Sequence, residues 1–579
     1  MLDAPERLLS REGHAIAIAP KTYDVLLALV RSAGRLVTKR ELLDLVWPET
    51  SVEEGILSVH ISTLRKALGD DEGKRRYIET VSRTGYRFVA AVKQRTASLP
   101  AQQSVAVLPA RPFIGKILSE RDRHTGLAIA DALIDRLGRS QQILVRPTRA
   151  VRVYVNAPDD PAAIACSLCV DAVIDTRFLA TADRIKVSIH LIRSRDGTSL
   201  WTGNFDEPAT EVISIADLAA ECVAAQLGSG SQESQTPRSR IRPAAHPRVY
   251  ELVGRGRFHL LSYSMFEVQT AVEAFQAAIE LDPTYAPAHA GLALACCAQA
   301  SMRVAPPAQA YHDARVAALH ALAMDDSCVD AQVALGAVLF FSEWNWAGAE
   351  RSLKRALQLN PNHSEGSLVY GQLLEALGRL EEGLEMKLRA LERDPFSPLV
   401  HLQISLSYWH QRRYDDAIEW ANKALEIDPR HPHAREHLAG AYLKKGDFER
   451  YLAENVKHAE LHGAPAEALE QLKEACTVGG RAAMIKAVLQ RASSQPQAFP
   501  AMQLALFYSE AGDMDAAFRH LGRAIESHDP CLVHLAVAPQ WDCLRSHPGF
   551  QRALSRMGLS AVPQSTIGSS SNTAGHSIS

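Results

Sequence analysis

Three six-residue stretches recur at a fixed interval: "ALQLNP" ends at Pro361, "ALERDP" at Pro395 and "ALEIDP" at Pro429, 34 residues apart. A period of this length marks a helical-pair repeat, a unit that buries its apolar face only against its neighbours and therefore folds only as a stack. A related copy, "AIELDP", ends at Pro283, and a degenerate one, "ALAMDD", ends at Asp326 after an insertion rich in Ala and Pro, "SMRVAPPAQA". Small residues suited to close helix crossing fall at Gly371, Gly383 and Ala390 in one unit and at Ala417, Ala421 and Ala424 in the next. Turns between paired helices are expected at Gly378-Arg379-Leu380, Arg413-Tyr414-Asp415 and Gly446-Asp447-Phe448. A late copy, "AGDMDAAFRHLGRAI" at 511–525, brings the count to seven or eight units between Tyr250 and about Gly558, with 464–495 too eroded to assign. More than half of the 579 residues is thereby committed to an elongated all-α stack, and a single compact domain is excluded.

These units closely resemble the tetratricopeptide repeat, and the resemblance implies a superhelix over 248–560 that takes a protein or peptide ligand. Aromatic residues on its helices, such as Tyr408, Trp409 and Tyr442, are expected to line the concave groove or to fill the superhelix. Upstream, "GSGSQESQTPRSRIRPAAHP" lacks any hydrophobic period, so 229–247 reads as a flexible linker, and the Ser- and Gly-rich stretch 561–579 reads as a disordered tail. Residues 103–228 alternate. "SVAVLP" and "QILVRP" read as strands, "GLAIADALIDRLGR" and "PAAIACSLCV" as helices, then "DAVIDTRFLA", "RIKVSIHLIRS" and "TSLWTGNFD" as strands before a closing helix "ISIADLAAECVAAQL". This is a small α/β domain, and with "LIRSRDGTSLWTGNFD" it resembles the TolB-N-terminal-like or FlgO-like module that precedes tetratricopeptide arrays in bacterial regulators and cyclases.

Residues 1–95 carry a different pattern. "KTYDVLLALV" is amphipathic, and Thr38-x-x-Glu41 and Ser51-x-x-Glu54 are capping boxes that start two further helices. The first, "KRELLDLVW", stops at Pro48; the second runs from Val52 to about Gly69, with Leu57, Ile61, Leu64 and Leu68 forming one core-facing stripe. Ser58, Ser62 and Arg65 then share another face, with Val59 and Thr63 beside it. "RYIETVS" and "GYRFVAAV" flank Arg83-Thr84-Gly85 as a β-hairpin, which makes the segment an α+β winged helix-turn-helix. "VHISTLRKALGD" followed by "YIETVSRTGYRFV" strongly resembles the OmpR/PhoB-type DNA-binding domain. The resemblance implies base-edge contacts from Ser58, Val59, Ser62 and Thr63, phosphate contacts from His60 and Arg65, and a minor-groove contact from Arg83 at the wing tip. Family members often carry Arg where this chain has Ser62 and Thr63, so base preference does not transfer. The family's N-terminal sheet is expected to be short here, or to begin upstream of Met1.

Charge agrees in sign: 16 Lys and Arg against 13 Asp and Glu within residues 1–95, in a chain whose net charge is -3. No apolar run is long enough for a membrane helix, and the first twenty residues lack a signal-peptide core, so a cytoplasmic protein is expected. Nine scattered cysteines read as reduced thiols, with Cys166-x-x-Cys169 in a buried helix; His528, Cys531, His534, Cys543 and His547 have zinc-compatible spacing but read as structural. No phosphate loop, nucleophile elbow, HExxH or dinucleotide fingerprint appears, and no receiver domain precedes the winged helix.

The whole arrangement resembles CadC-like and HilA-like regulators without the membrane helix. It implies a multidomain, non-enzymatic, one-component transcription regulator with no cofactor and no metal, binding double-stranded promoter DNA and a protein or peptide at the repeats. RNA polymerase contact and oligomers on DNA are compatible with it. The alternatives are a scaffold whose winged helix has lost DNA binding, and a remnant of the nucleotide cyclases that share the later modules.

Overall fold

The computed structural model describes residues 2–3, 8–11, 14–16, 20–47, 52, 55–68, 70, 77–82, 84–90, 103–113, 118–156, 160–181, 183–227, 246–262, 264–461, 463–464, 466–494 and 499–562. They fall into two compact units, 1–101 and 102–579.

In the first unit, β1 (Leu2–Asp3), β2 (Leu8–Arg11) and β3 (His14–Ile16) form a short antiparallel sheet. Then come α1 (Pro20–Arg31), β4 (Leu36–Thr38), α2 (Lys39–Val46), α3 (Gly55–Leu68), β5 (Ile78–Val81) and β6 (Gly85–Phe88). The wing is a three-stranded sheet of order β4-β6-β5, since β4 pairs with the hairpin read from the sequence. Leu26 and Leu29 of α1, Leu42 of α2, Leu57, Ile61 and Leu64 of α3, and Ile78 and Phe88 of the wing meet in one core. The α3 helix begins at Gly55, later than the expected Val52, which is not helical; the Ser51/Glu54 box lies outside the described residues. The Thr38 box is present: Glu41 N–H donates to Thr38 Oγ1 (3.2 Å), and Thr38 N–H donates to Glu41 Oε2 (3.0 Å).

The second unit starts with the expected alternation: β7 (Gln103–Val107), β8 (Arg111–Pro112), α4 (Glu120–Gly138), β9 (Ile143–Val145), α5 (Thr148–Arg152), α6 (Pro161–Ser167), β10 (Ala172–Ala180), β11 (Arg184–Arg193), β12 (Ser199–Pro208) and α7 (Val212–Gln226). Sheet order is β12-β11-β10-β7-β9, with β8 beside β10. β10 is central and covered on both faces, which explains its unbroken apolar run from Ala172 to Ile174. Cys166 and Cys169 are exposed, correcting the buried reading: the inward side of α6 belongs to Ile164 and Ala165.

The array follows: α8 (Pro247–Leu260), α9 (Met265–Leu281), α10 (Ala286–Ser301), α11 (Pro307–Met324), α12 (Val329–Phe341), α13 (Trp346–Leu359), α14 (Ser364–Ala376), α15 (Leu380–Arg393), α16 (Pro398–His410), α17 (Tyr414–Ile427), α18 (Pro432–Lys444), α19 (Phe448–Leu461), α20 (Ala466–Ser494), α21 (Ala501–Glu510), α22 (Met514–Glu526) and α23 (Pro548–Arg556). The eroded stretch is helical over Ala466–Ser494, broken at Gly480 (φ 59°). Of the linker reading, only His246 and Pro247 are described, and they open α8; of the tail, only Ala561 and Val562 are described.

The recurring acidic or amide residue now has a physical role. Asp282, Asp325, Asn360 and Asp428 each follow the last turn of a helix and accept from the backbone N–H two residues on, an Asx turn that reverses the chain. At the opposite turns the backbone must enter the left-handed region, at Trp344, Gly378, Arg412 and Gly446, again 34 residues apart. Glycine is free there, whereas Arg412 is held by donation to Val537 O (2.6 Å) and Asp542 Oδ1 (2.5 Å) of the closing segment. Tyr408 and Tyr442 lie under the guanidiniums of Arg413 (4.4 Å) and Arg450 (5.4 Å), and Trp409 packs edge-on to Tyr414.

The α/β region and the array share one hydrophobic core, in which Leu133 and Leu137 of α4, Val249 and Val253 of α8, and Phe275 of α9 are contiguous. Polar contacts extend the junction along the Asx-turn edge. Arg257 bridges Asp131 (3.0 Å) and Asp330 (2.5 Å), Asn362 Nδ2 lies within hydrogen-bond reach of the carbonyls of Gly138, Ser140 and Ile143, and Arg146 donates to Glu392 O and Arg393 O.

The five residues with zinc-compatible spacing do not converge. His528 Nδ1 meets Ser342 O and stacks on Trp344, while His534 Nε2 meets Gln372 O. His534 instead joins the buried Glu375 and His410 in a group whose carboxylate accepts from Lys387 Nζ (2.8 Å), Ser407 and His410. Among the described residues, no helix is long and apolar enough to cross a membrane.

Candidate nucleic-acid interface

The outward side of α3 is a continuous row: Gly55, Ser58, Val59, Ser62, Thr63 and Lys66 are exposed, while Leu57, Ile61 and Leu64 are buried. Four of the seven residues named from the sequence therefore lie on one face. Val59 is 64% exposed. Thr63 Oγ1 donates to Val59 O at 2.9 Å, so its hydroxyl proton is used within the helix.

His60 and Arg65 are placed differently. His60 is half-buried: its Nδ1 is 2.8 Å from Thr22 Oγ1 and its ring is 5.4 Å from Trp47, and burial lowers its pKa. It is thus a mostly neutral tie between α1, the end of α2 and α3. Lys21 secures the same corner, with Nζ donating to Val46 O at 2.6 Å above the Trp47 ring. Arg65 directs one amino group to Ile78 O (2.9 Å) and Thr80 Oγ1 (2.8 Å), fastening α3 to β5. Arg83 lies outside the described residues.

The Glu41 carboxyl is held below its ordinary pKa by the backbone donor of Thr38 and by Arg35, so the capping box stays ionised at neutral pH. Gly85 has no room for a side chain, because a Cβ there would lie 2.1 Å from Val37 O.

A family described as "Transcriptional regulatory protein, C terminal" matches residues 13–88, which contain every element from β3 to β6. This chain carries an OmpR/PhoB-type DNA-binding domain. Behind that domain, matches to the tetratricopeptide repeat cover 340–403 and 398–431. The transcriptional regulator HilA of Salmonella typhi is 26% identical over 420 residues, 71% of this chain and 72% of its own. The transcriptional activator CadC of Escherichia coli K12 is 34% identical over 85 residues, 14% of this chain and 17% of CadC. The solved DNA-binding domain of E. coli CadC is 32% identical over 15% of this chain and 84% of its own, with a TM-score of 0.15.

The supports of the OmpR/PhoB-type domain were not found from the sequence. Thr22 and Thr80 hold α3 from behind through His60 and Arg65, Lys21 ties α1 to the end of α2, and Asp70, whose Oδ2 accepts from Ile78 N–H at 3.1 Å, ties the chain after α3 to β5. No spacing marks them, because each reaches a partner on another element; only the Gly of "TGYRF" announces a close backbone approach.

Proposed function

We propose that the chain is a cytoplasmic one-component transcription regulator whose winged helix binds promoter DNA and whose repeat array receives a protein or peptide signal. The observation that carries this reading is the exposed face of α3, presented by a fully packed scaffold and bounded by Lys66. A major groove about 12 Å wide admits one such helix. Ser58, Val59, Ser62 and Thr63 take the base-edge role. Arg83 takes the minor groove beside the wing, where negative potential attracts a guanidinium.

His60 and Arg65 are reassigned in this proposal from phosphate contacts to positioning residues, since both reach partners within the domain. Lys66, exposed one turn beyond Ser62, takes the phosphate role instead. The protein acts without enzymatic chemistry, and RNA polymerase and a second copy on adjacent DNA are its further partners.

The test is binding of the full chain to duplexes from its own upstream region over a range of salt. Phosphate neutralisation releases counterions, so affinity falls with a log-log slope of about -0.9 per contact. A salt-independent response, or no binding, rejects the DNA-binding reading and leaves the scaffold alternative.

A further inference from the structure

On the DNA-binding reading, something on α3 must distinguish bases, and the usual tools are absent. The outward row of α3 contains no Arg, Asn, Gln, Asp or Glu, and its one long polar side chain, Lys66, is taken by phosphate on that reading. It contains two serines and two methyl-bearing residues, Val59 and Thr63, one helical turn apart. The Thr63 hydroxyl donates to Val59 O, which leaves its Cγ2 methyl and oxygen lone pairs for anything outside. Val59 holds its isopropyl 64% in solvent, although Leu57 and Ile61 beside it are fully buried, so the exposure is not for want of a core.

The only apolar group on a base edge in the major groove is the 5-methyl of thymine. We infer that Val59 and the Cγ2 methyl of Thr63 read thymine, each packing on one 5-methyl group. Four residues of helix rise about 6 Å, and base pairs are about 3.4 Å apart, so the two thymines lie about two steps from each other. Ser58 and Ser62, small and on the adjoining row, let the helix approach closely enough for methyl contact.

The experiment uses the full chain. Preferred duplexes are first enriched from a randomised library, and each thymine in them is then replaced singly by deoxyuridine, which removes the methyl and keeps every hydrogen-bonding group. Two positions should lose about fourfold in affinity, the worth of one buried methyl. Val59→Ala should abolish the penalty at one position and Thr63→Ser at the other. Both sites are exposed, so the fold stays intact, as melting curves of the variants will record. If enriched sites bind equally well with deoxyuridine throughout, or if both variants keep both penalties, thymine reading is overturned while DNA binding stands. If the library yields no enriched duplex, the DNA-binding reading itself falls and this inference with it.

Discussion

Arg65 shows how far a residue's role depends on its neighbours. Its place after Ser58 and Ser62 suggests the wall of a groove, yet its amino group spans α3 and β5 at 2.8–2.9 Å. Hydrogen bonds from a charged donor contribute about 1.5–3 kcal/mol each, and their loss lets the helix shift relative to the wing. Arg65→Ala is therefore expected to weaken binding to all duplexes together and leave the preferred sequence unchanged, as measured across a randomised library. Lys66→Ala should also spare the sequence preference, but it should reduce the salt slope by about one unit, because it removes a counterion-releasing contact. A slope unchanged in Lys66→Ala would remove it from the DNA surface.

Whole elements were legible where a local rule dictates them. The Thr38 box, the amphipathic stripe of α3, the strand rhythm of 103–227 and the 34-residue period each correspond to an observed element, because capping, alternation and repetition act within a few residues. What the sequence did not reveal lies between elements. β4 joins the wing only because α1 and α2 bring Leu36–Thr38 beside β6, and the Gly85 backbone touches Val37 at a distance no other residue tolerates. Gly85→Ala should cost about 1–3 kcal/mol by overpacking, seen as faster hydrogen exchange of β4 and β6 with the array unaffected. The closing segment belongs to the same class. His534 is half-buried, its ring 4.8 Å from that of His410 beside Glu375, and desolvation first, then the like charge of His410, lowers its pKa to about 3. In the unfolded chain a histidine takes up its proton near pH 6.5, so on acidification the unfolded state binds protons first and stability is lost as pH falls from about 6.5 towards 3. Glu375, held at about 2 by Lys387 and by hydrogen bonding from His410 against the cost of burial, adds a second loss that begins only below its ordinary value of 4.5. The melting temperature should fall between pH 7 and about 5.5, and His534→Gln should flatten that fall. An equal slope in the variant would place the acid-sensitive groups elsewhere.

On the scale of the larger unit, the sequence suggested an α/β domain followed by a linker and a repeat array, and in the structure the α/β region and the array share one core. The reason is physical. A repeat stack has two ends, and the first helix of the first pair must be covered by something. Here α4 covers α8, and they meet through Gly254, where a Cβ would lie 2.5 Å from His124 O and 2.8 Å from the Ala128 side chain. The one unit that replaces the usual "DP" with "NPN" is also the one whose Asn362 grips the carbonyls of Gly138, Ser140 and Ile143, so the departure from the repeat marks the junction. Removing 103–245 would strip Val249 and Val253 of α8 of their cover and leave Arg257 without Asp131. Each fully buried side chain of this size is worth about 1.5–3 kcal/mol, and a typical domain is stable by only about 5–15 kcal/mol. A fragment beginning at residue 246 should therefore aggregate or melt without a cooperative transition, whereas 103–579 should unfold in a sharp one, as followed by circular dichroism at 222 nm. Gly254→Ala in the full chain should lower that transition by overpacking α4 on α8, again by about 1–3 kcal/mol. If the fragment from 246 melts as sharply and as high as 103–579, the repeats stabilise themselves, and the α4–α8 contact is a docking of two independent bodies.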